Sequence, residues 1–550
     1  MSRLPAPLLM SDLDGSKYAR TLRHLRPWQV IGRLVAPVRR RLARWRLPDA
    51  PPRLAPSREP TTSFPAHDPW NTRAGIRQGR FQFLNDPAAL GRPVDWAATS
   101  MPLLWRFNLH YFHYLFLLAP DEQVALCREW VDSNPAGRGV GWHPYPTSLR
   151  IVNWCRAGLD VPDLLGSLYQ QAAYLYRNLE THVYGNHLLD NARALVMAGA
   201  YLAGQGESEA WMERGLALYQ QETPEQILGD GFHYERSPMY HALMLEGYLD
   251  VLNMLPEGHP ERDRLAETAR AMTDALAGIT HPDGQIALFN DSTLEIAPPP
   301  ADLFAYAKRV LGHTPQPRRR FPDTGYFVYE DNAAWLMVDG GPAGPEYLMA
   351  HAHADIFSFE LSLRDVRFVV DTGVYEYPAG PMRQHVRSTA AHNTVSIDGT
   401  DQIECWDSFR VARRAAPHDV SWAETERGAV FEGTYSGYAR LIGDQLAHRR
   451  RLTIDGDRRT LTVEDEITGE GQHHVASRLH LHPEVTVRDR PDGWVLQREG
   501  RTCTVSVDGA PARWETGWYC PRFGIRKKNK VLVLHLDATL PKLVRYTLRY

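Results

Sequence analysis

Three segments of the chain collect side chains that can exchange protons or bind a metal ion, and the richest begins at His351. His351 and His353 alternate along an extended segment, so their imidazoles point to the same face. Asp371 ends a strongly apolar run, and His392 precedes another. Imidazole and carboxylate groups from neighbouring strands, without a thiolate, form a credible Zn²⁺ ligand set. An ordinary core histidine would explain each position separately, but four such groups at strand ends favour a site.

A second segment, residues 184–191, places polar groups at the expected start of a helix. Gly185 precedes Asn186 and His187, which indicates a turn that presents both side chains, with Asn191 one helical turn behind His187. Helix capping explains the same residues, and taken alone it is the more ordinary explanation.

The third segment surrounds Tyr240. Ser237 and Pro238 fit an N-cap followed by a proline in the first helical position, so Tyr240 and His241 are predicted in the first turn. We expect the helix dipole and the nearby His187 and His241 to lower the pKa of Tyr240 from about 10 toward the working range. Its hydroxyl would then exchange a proton. A buried tyrosine with a hydrogen-bonded hydroxyl fits this pattern equally well.

The elements that must position these groups fall into two halves. From about residue 100 to residue 312, apolar residues recur at spacings of three and four, which predicts helices. The predicted helices are 115–130, 148–157, 164–180, 188–203, 209–221, 238–255 and 263–279. After residue 321 the pattern changes to alternating or continuously apolar strands separated by Asp and Gly turns. The predicted strands include 325–329, 334–338, 357–363, 366–370, 393–397, 451–454, 460–463, 484–487 and 531–534.

Successive helical hairpins suit an (α/α) toroid, and frequent strands without intervening helices suit an antiparallel sandwich. We therefore predict an α+β multidomain chain, with an N-terminal (α/α) toroid followed by a C-terminal antiparallel β-sandwich. The predicted divisions are a basic N-terminal extension over residues 1–60, the toroid over residues 61–315 and the sandwich over residues 316–550.

Composition narrows the functional classes. The net charge of −3 gives no general attraction to nucleic acid, so no nucleic-acid partner is expected. Residues 1–60 are different, because they carry 13 Lys or Arg against four Asp or Glu. A basic amphipathic segment can rest on a membrane surface or a partner, but a solvated helical extension packed on the first domain is the more ordinary interpretation. Five widely spaced cysteines indicate neither a disulfide framework nor a thiolate zinc site.

The sequence also sets expectations about location. The apolar residues 8–10 are followed at once by Asp12 and Asp14, so no signal-peptide core is apparent. No apolar run reaches the length of about 18 residues that a transmembrane helix needs. A cytoplasmic location is therefore the default expectation, and the sequence gives no oligomeric state.

Taken together, the three segments resemble the heparinase II/III superfamily of polysaccharide lyases, which act on glycosaminoglycans and alginate. The residues 351–394 carry the most specific similarity, and Asn186-His187 and Tyr240-His241 carry shorter ones. Residues 142–154 resemble the helical part of the family, and His480-Leu-His-Pro483 resembles its sandwich. The resemblance also allows a periplasmic location.

The resemblance implies specific roles. The implied catalytic residues are Asn186, His187, Tyr240 and His351, of which Asn186 and His187 would neutralise a uronate carboxylate. The implied ligands of one zinc ion are His353, Asp371 and His392. Further substrate contacts are expected at Asn191, His241, Arg387, Tyr435 and Tyr438. The implied partner is an anionic, uronate-containing polysaccharide, and the basic start of the chain is similar to relatives linked to exopolysaccharide synthesis.

The residue types suit β-elimination, in which a base removes the C5 proton of a uronate and an acid protonates the leaving C4 oxygen. Two alternatives remain. A glycoside hydrolase would use paired carboxylates, for which Glu235 and Asp283 are candidates. A glycan-binding or exopolysaccharide-assembly protein would keep the fold without turnover. The active site is expected between the two domains, since His351 comes from one and the other three residues come from the other.

Overall fold

The computed structural model describes residues 15–51 and 53–550. Residues 8–14, on which the signal-peptide expectation rests, lie outside the described residues. Within the described part of the chain, no helix combines the length and the hydropathy needed to cross a membrane.

The first half of the molecule is helical. Its helices are α1 (Gly15–Leu22), α2 (Pro27–Trp45), α3 (Arg73–Arg77), α4 (Leu103–Tyr111), α5 (Pro120–Ser133), α6 (Pro144–Arg156), α7 (Pro162–Tyr176), α8 (Gly185–Tyr201), α9 (Ser208–Gln226), α10 (Pro238–Met254), α11 (Arg262–Gly278) and α12 (Pro300–Leu311). A short hairpin, β1 (Arg80–Phe83) and β2 (Asp86–Ala89), precedes α4. Many of these helices begin with proline, which has no amide hydrogen to leave unsatisfied and a φ suited to the first helical turn.

The helices form two layers. Helices α4, α6, α8, α10 and α12 contact one another in succession, while α5, α7 and α9 pack outside them. Because the inner helices alternate with outer ones along the chain, they run in the same direction. Helix α8 lies at the centre of this layer, and all of its residues except His187 are buried. The inner layer therefore presents its helix N-termini on one side of the domain.

The second half is built from antiparallel strands. Its elements are β3 (Arg320–Phe321), β4 (Tyr326–Glu330), β5 (Ala334–Asp339), β6 (Phe359–Leu363), β7 (Val366–Val369), α13 (Pro381–Val386), β8 (Val395–Ile397), β9 (Cys405–Trp406), β10 (Arg410–Val411), β11 (His418–Thr425), β12 (Gly428–Tyr435), α14 (Tyr438–Leu441), β13 (Ala447–Asp455), β14 (Thr460–Thr468), β15 (Gln472–His480), β16 (Thr486–Arg490), β17 (Gly493–Arg498), β18 (Arg501–Asp508), β19 (Ala512–Arg522), β20 (Ile525–Thr539) and β21 (Lys542–Arg549).

These strands form three larger sheets. One has the order β3-β4-β5-β6-β7, a second the order β19-β20-β15-β8, and the largest the order β11-β12-β13-β14-β21-β18-β17-β16. One apolar core lies within the helical half and includes Phe321, Tyr326 and Trp335, so the five-stranded sheet also packs on the helices. A second apolar core lies between the sheets. The predicted order, with helices first and antiparallel strands second, is confirmed.

The segment formed by α1 and α2, here called the N-terminal arm, touches both halves. The guanidinium of Arg20 binds the carboxylate of Glu404 in the strand half, with nitrogen–oxygen distances of 3.1 and 3.2 Å. The indole of Trp28 donates to Thr181 Oγ1 in the helical half at 3.1 Å. Gly32 lies so close to His182 that a Cβ would approach the histidine Cβ to 2.3 Å. The arm is therefore fitted to the body of the protein.

Candidate active site between the two domains

A cleft of about 1460 Å³ separates the helical half from the strand half. Its walls include the four residues that the sequence predicts to be catalytic, namely Asn186, His187, Tyr240 and His351. Helices α6, α8 and α10 begin at this cleft, since Tyr145, Asn186 and Tyr240 lie in their first turns and line it. Helix N-termini carry partial positive charge and free amide hydrogens, which favour an anionic ligand.

Asn186 and His187 sit where the chain turns sharply into α8. Gly185 has a φ of +58°, and a Cβ there would lie 2.1 Å from Glu235 Oε1, so glycine is required. The backbone amide of Asn186 donates to the same oxygen at 3.1 Å. The ring of His187 stacks on Tyr145 with centroids 4.1 Å apart. The turn thus fixes both side chains at the cleft.

A buried carboxylate sets the charge of His187. Its Nδ1 lies 3.2 Å from Glu180 Oε1, and Asn191 Nδ2 donates to the other oxygen of Glu180 at 3.2 Å. Burial opposes protonation of His187, but the charge and hydrogen bond of Glu180 outweigh it and raise the pKa of the imidazole. The same pairing overcomes burial and lowers the pKa of Glu180 to about 2. His187 is therefore protonated more readily than a free imidazole, and it lies next to Asn186 at the cleft.

Tyr240 has the local geometry that the sequence predicts. The Ser237 side chain caps α10 by accepting from the backbone amide of Tyr240, and Pro238 occupies the first turn. The hydroxyl of Tyr240 lies 3.1 Å from that of Tyr377. Its ring stacks on His351 with centroids 4.0 Å apart. The two domains thus bring a phenol and an imidazole into direct contact.

The expected direction of the Tyr240 pKa is wrong. Burial raises the pKa of the phenol well above its usual value, and the hydrogen bond with Tyr377 only partly opposes this. The charges of Asp291 and Glu235 raise it further. At neutral pH the hydroxyl therefore carries its proton, as a catalytic acid must at the start of a reaction.

His351 lies between two carboxylates. Its Nδ1 is 2.9 Å from Asp291 Oδ2, and its Nε2 is 3.3 Å from Glu235 Oε2. Asp291 also contacts His353, whose Nε2 is 2.9 Å from Asp291 Oδ1, and it accepts from Arg383. Burial would raise the pKa of Asp291, but these cationic and hydrogen-bonding neighbours keep it well below its usual range. The ionised Asp291 thus orients the imidazole that faces the cleft.

A second group of polar side chains is buried behind the cleft. His353, Asp355 and His392 offer ligand atoms that all lie within 4.8 Å of one another. Each of these residues has one buried side-chain atom without a hydrogen-bond partner, namely His353 Nδ1, Asp355 Oδ1 and His392 Nε2. Asp371 differs from its predicted role, since its Oδ2 accepts from His392 Nδ1 at 2.8 Å and Asp355 joins the two histidines instead. Asp371 therefore fixes the orientation of the His392 ring.

Five residues expected to contact substrate lie elsewhere. His241 uses both ring nitrogens internally, with Nδ1 accepting from the His233 amide and Nε2 bonded to the Met272 carbonyl. Asn191 is fully buried and hydrogen-bonded to Glu180, the carboxylate that contacts His187. Arg387, Tyr435 and Tyr438 are buried and donate to backbone carbonyls. The predicted direct contact of these side chains with substrate is contradicted by their positions.

Several residues at the site were not predicted. Tyr145 and Tyr377 line the cleft beside the predicted groups, and Glu180 and Asp291 hold the two imidazoles. One signal for Asp291 was available, since the polar residues 290–293 directly follow the apolar residues 286–289. The partners of Glu180 and Tyr377 are set by the three-dimensional arrangement, for which the sequence has no local pattern.

The carboxylate pair considered for a hydrolase is not assembled. Glu235 lines the cleft, and burial raises its pKa. Asp283 is bound by Arg367, with Nε and Oδ2 2.7 Å apart, and it is not among the residues that line the cleft. This pair therefore cannot act on one glycosidic bond.

Comparisons with known proteins agree with this architecture. The family model "Heparinase II/III N-terminus" matches residues 159–301, and "Heparinase II/III-like, C-terminal" matches residues 313–547. The chain belongs to the heparinase II/III family.

Two curated relatives are named heparin-sulfate lyase. The protein of Pedobacter heparinus is 26% identical over 51% of this chain and 48% of its own length. The protein of Bacteroides stercoris is 25% identical over 83% of this chain and 77% of its own length. The matched segment thus spans about half the length of the Pedobacter relative.

A solved structure extends the comparison to the whole fold. The crystal structure of a heparan sulfate lyase from Pedobacter heparinus superposes with a TM-score of 0.62 and 19% identity, covering 94% of this chain and 87% of that one. Similarity at this level supports the predicted succession of toroid and sandwich.

Proposed function

We propose that this protein is a polysaccharide lyase that cleaves a uronate-containing polysaccharide by β-elimination. The observation that carries the proposal is the convergence of Asn186, His187, Tyr240 and His351 on one cleft, with Tyr240 stacked on His351 at 4.0 Å. The relatives named heparin-sulfate lyase support a glycosaminoglycan as the substrate class.

The toroid wall would bind the uronate carboxylate. Removal of the C5 proton leaves charge that spreads onto this carboxylate, and the Asn186 amide and the His187 imidazolium stabilise it. One well-placed donor of this kind typically contributes about 3 kcal/mol to the transition state. The N-termini of α8 and α10 add positive potential at the same place.

Tyr240 and His351 would transfer the protons. His351 accepts the C5 proton, and the C–H electrons form the C4–C5 double bond as the C4–oxygen bond breaks. Tyr240 donates its proton to the leaving oxygen, because its raised pKa keeps it protonated until that step. Asp291 holds His351 in orientation and stabilises the imidazolium that forms.

The stacking of Tyr240 on His351 also favours one stereochemistry. The two stacked side chains lie next to each other in the cleft, so a sugar bound against them would meet base and acid on one face. Such an arrangement suits uronates whose C5 hydrogen and C4 oxygen are on the same side of the ring, as in D-glucuronate and D-mannuronate. L-Iduronate and L-guluronate have them on opposite sides.

We propose one zinc ion at the buried cluster behind the cleft. The unpartnered atoms of His353, Asp355 and His392 are the nitrogen and oxygen donors that zinc prefers. Asp371 accepts a hydrogen bond from the other ring nitrogen of His392, and carboxylates commonly orient metal-bound histidines in this way. A bound ion would tie the segment that carries His353 and Asp355 to the segment that carries His392.

The proposed activity is tested by an elimination assay on alginate, heparan sulfate, chondroitin sulfate, hyaluronan and the exopolysaccharide of the producing organism. A lyase generates an unsaturated uronate that absorbs ultraviolet light, and mannuronate blocks should react faster than guluronate blocks. New reducing ends without this absorbance would indicate a hydrolase. Binding without turnover on every polymer would indicate a glycan-binding or assembly protein.

A further inference from the structure

The exposed apolar side chains of this protein are concentrated on the N-terminal arm. Among residues 15–51 and 53–550, nine of the twelve large hydrophobic residues that are exposed lie between Leu22 and Trp45. Six of them recur at alternating spacings of three and four residues along α2, which places them on one face of the helix. These six, here called the apolar stripe, are Trp28, Ile31, Val35, Val38, Leu42 and Trp45. At 1.5 Å per residue, the stripe is about 26 Å long.

The opposite face of α2 is already occupied. Gln29, Gly32, Ala36 and Ala43 are buried against the protein. The small side chains allow close approach, and Gln29 Nε2 donates to the Tyr347 carbonyl at 3.2 Å. Since this face is docked, the stripe cannot turn inward without breaking those contacts. Trp45 at the end of the stripe and Leu34, which lies beside the stripe, are each 75% exposed.

The charge around the stripe has one sign. Residues 15–48 contain ten Lys or Arg and no Asp or Glu. Arg41 lies on α2 and Arg46 lies just beyond its end, and both side chains are exposed. Some arginines of the arm have partners in the body of the protein, as Arg20 does with Glu404 and Arg26 does with Glu225. The outer surface of the arm therefore combines an apolar stripe with uncompensated positive charge.

We propose that the apolar stripe of α2 docks on an anionic lipid surface, with the helix lying in the plane of the interface. An amphipathic helix with Trp, Leu and Val on one face and arginines beside them has the composition for this mode of binding. Trp45, which is 75% exposed, stands at one end of the stripe, and tryptophan favours the boundary between headgroups and acyl chains. At the other end, Trp28 is 44% exposed and its indole N–H is bound to Thr181.

Other occupants fit less well. A second copy of the chain paired through the stripe would bring two arginine-rich arms together without a single acidic residue in either. A soluble anionic polysaccharide would satisfy the arginines but leave six large apolar side chains in water. An anionic membrane is the partner that matches both the charge and the apolar face.

The proposal is tested by flotation of the purified full-length protein with lipid vesicles. Vesicles of phosphatidylcholine alone are compared with vesicles that contain one-third phosphatidylglycerol. We expect binding to the anionic vesicles and a decline as salt is raised, because screening weakens the contribution of the arginines. No binding to anionic vesicles at low salt would overturn the proposal.

Variants test whether vesicle binding depends on the apolar stripe or on nonspecific adsorption of the protein. V38S combined with L42S should lower the vesicle partition coefficient at least tenfold, and R41Q combined with R46Q should remove most of the preference for anionic lipid. L543S is the matched control, since Leu543 and Leu42 are 45% and 48% exposed and Leu543 lies on the distant β21. Circular dichroism and thermal unfolding check that each variant is folded.

Three outcomes contradict the proposal. In the first, the stripe variant binds vesicles as well as the original protein. In the second, light scattering finds a dimer that the stripe variant alone dissociates, which would assign the stripe to a second copy. In the third, L543S weakens vesicle binding as much as the stripe variant does. These readouts are independent of catalysis, so failure of the proposed lyase activity would leave them unaffected.

Discussion

His351 and His353 stand two residues apart and contact the same carboxylate, yet they belong to different sites. His351 Nδ1 and His353 Nε2 each lie 2.9 Å from an oxygen of Asp291. The side chain of His351 is 11% exposed and borders the cleft, whereas that of His353 is completely buried. His351 can therefore meet a molecule in the cleft, whereas His353 lies between Asp291 on one side and His392 and Asp355 on the other.

The comparison shows that burial, more than residue type or partner, separates the two roles. A group that exchanges protons with a substrate must touch the cleft, while a group that holds the structure together must be shielded from it. Substitutions at the cleft should therefore change turnover strongly and stability little, and substitutions in the buried cluster should do the reverse.

The largest effect on turnover is expected for Y240F. The variant keeps the ring that stacks on His351 and removes only the proton carrier, so kcat should fall by about two orders of magnitude or more while KM changes little. Steady-state kinetics with the best polymer substrate provide the measurement. Y248F is the control, since Tyr248 lies two turns further along α10 with its hydroxyl on Thr223. Near-normal turnover of Y240F would remove Tyr240 from the mechanism.

A smaller effect, dependent on pH, is expected for E180Q. The pKa of His187 is raised above its unfolded value of about 6.5, so the stabilising charge is present below that pH and is lost as the pH rises through the folded pKa. At alkaline pH, kcat/KM should fall as His187 loses its proton. Without the Glu180 carboxylate, burial lowers the pKa of His187, so this fall should begin at a lower pH. At neutral pH, kcat/KM should drop about tenfold for each unit by which the pKa falls.

The control for this experiment is E222Q, which removes another buried carboxylate of the toroid that hydrogen-bonds Gln226. It should leave the pH profile in place. An unchanged profile in E180Q would mean that Glu180 does not set the charge of His187.

A still smaller effect on turnover is expected for Y377F. Tyr377 contributes one hydrogen bond to the Tyr240 hydroxyl, and such a bond is typically worth about 1 kcal/mol, or roughly a fivefold change. The rate should therefore fall by less than tenfold, with the pH profile retained. A loss as large as that in Y240F would assign the proton transfer to Tyr377 or to the pair.

The smallest effect on turnover is expected for H392A. His392 contacts Asp371 and is one of the three proposed zinc ligands, so the variant should lose bound zinc and unfold at a lower temperature while the folded fraction turns over at a similar rate. Metal analysis, thermal unfolding and active-site titration measure the three quantities. A stoichiometric zinc content in H392A, or its absence from the original protein, would contradict the assigned ligand set.

The sequence predicts the order of the fold well because the two periodicities are local. All seven predicted helices are present as α5 to α11, with ends that differ by no more than five residues. Strand β11 is harder to recognise, since most of its side chains are exposed and little apolar alternation marks it. The hairpin of β1 and β2 within the helical half gives no extended apolar run either.

The candidate site is predictable where local geometry positions it. The cap of α10 and the glycine before α8 fix Tyr240 and Asn186, and both are visible in the sequence. The direction of the Tyr240 pKa shift is not visible in the sequence. The helix dipole is a local effect, whereas the burial that raises this pKa depends on the opposite domain. The prediction that His241 contacts the substrate is wrong because successive side chains on a helix point about 100° apart. When Tyr240 faces the cleft, His241 therefore does not.

The N-terminal arm has a consequence for how the protein reaches its final form during synthesis. Arg20 and Thr21 bind partners 384 and 390 residues later in the chain, at Glu404 and Val411. At about 5 to 20 residues per second, a ribosome needs roughly 20 to 80 s to make that stretch. Helices α1 and α2 therefore cannot complete their docking until the chain as far as Val411 has emerged. The apolar stripe is available to a lipid surface throughout that interval, so targeting can precede the completion of folding.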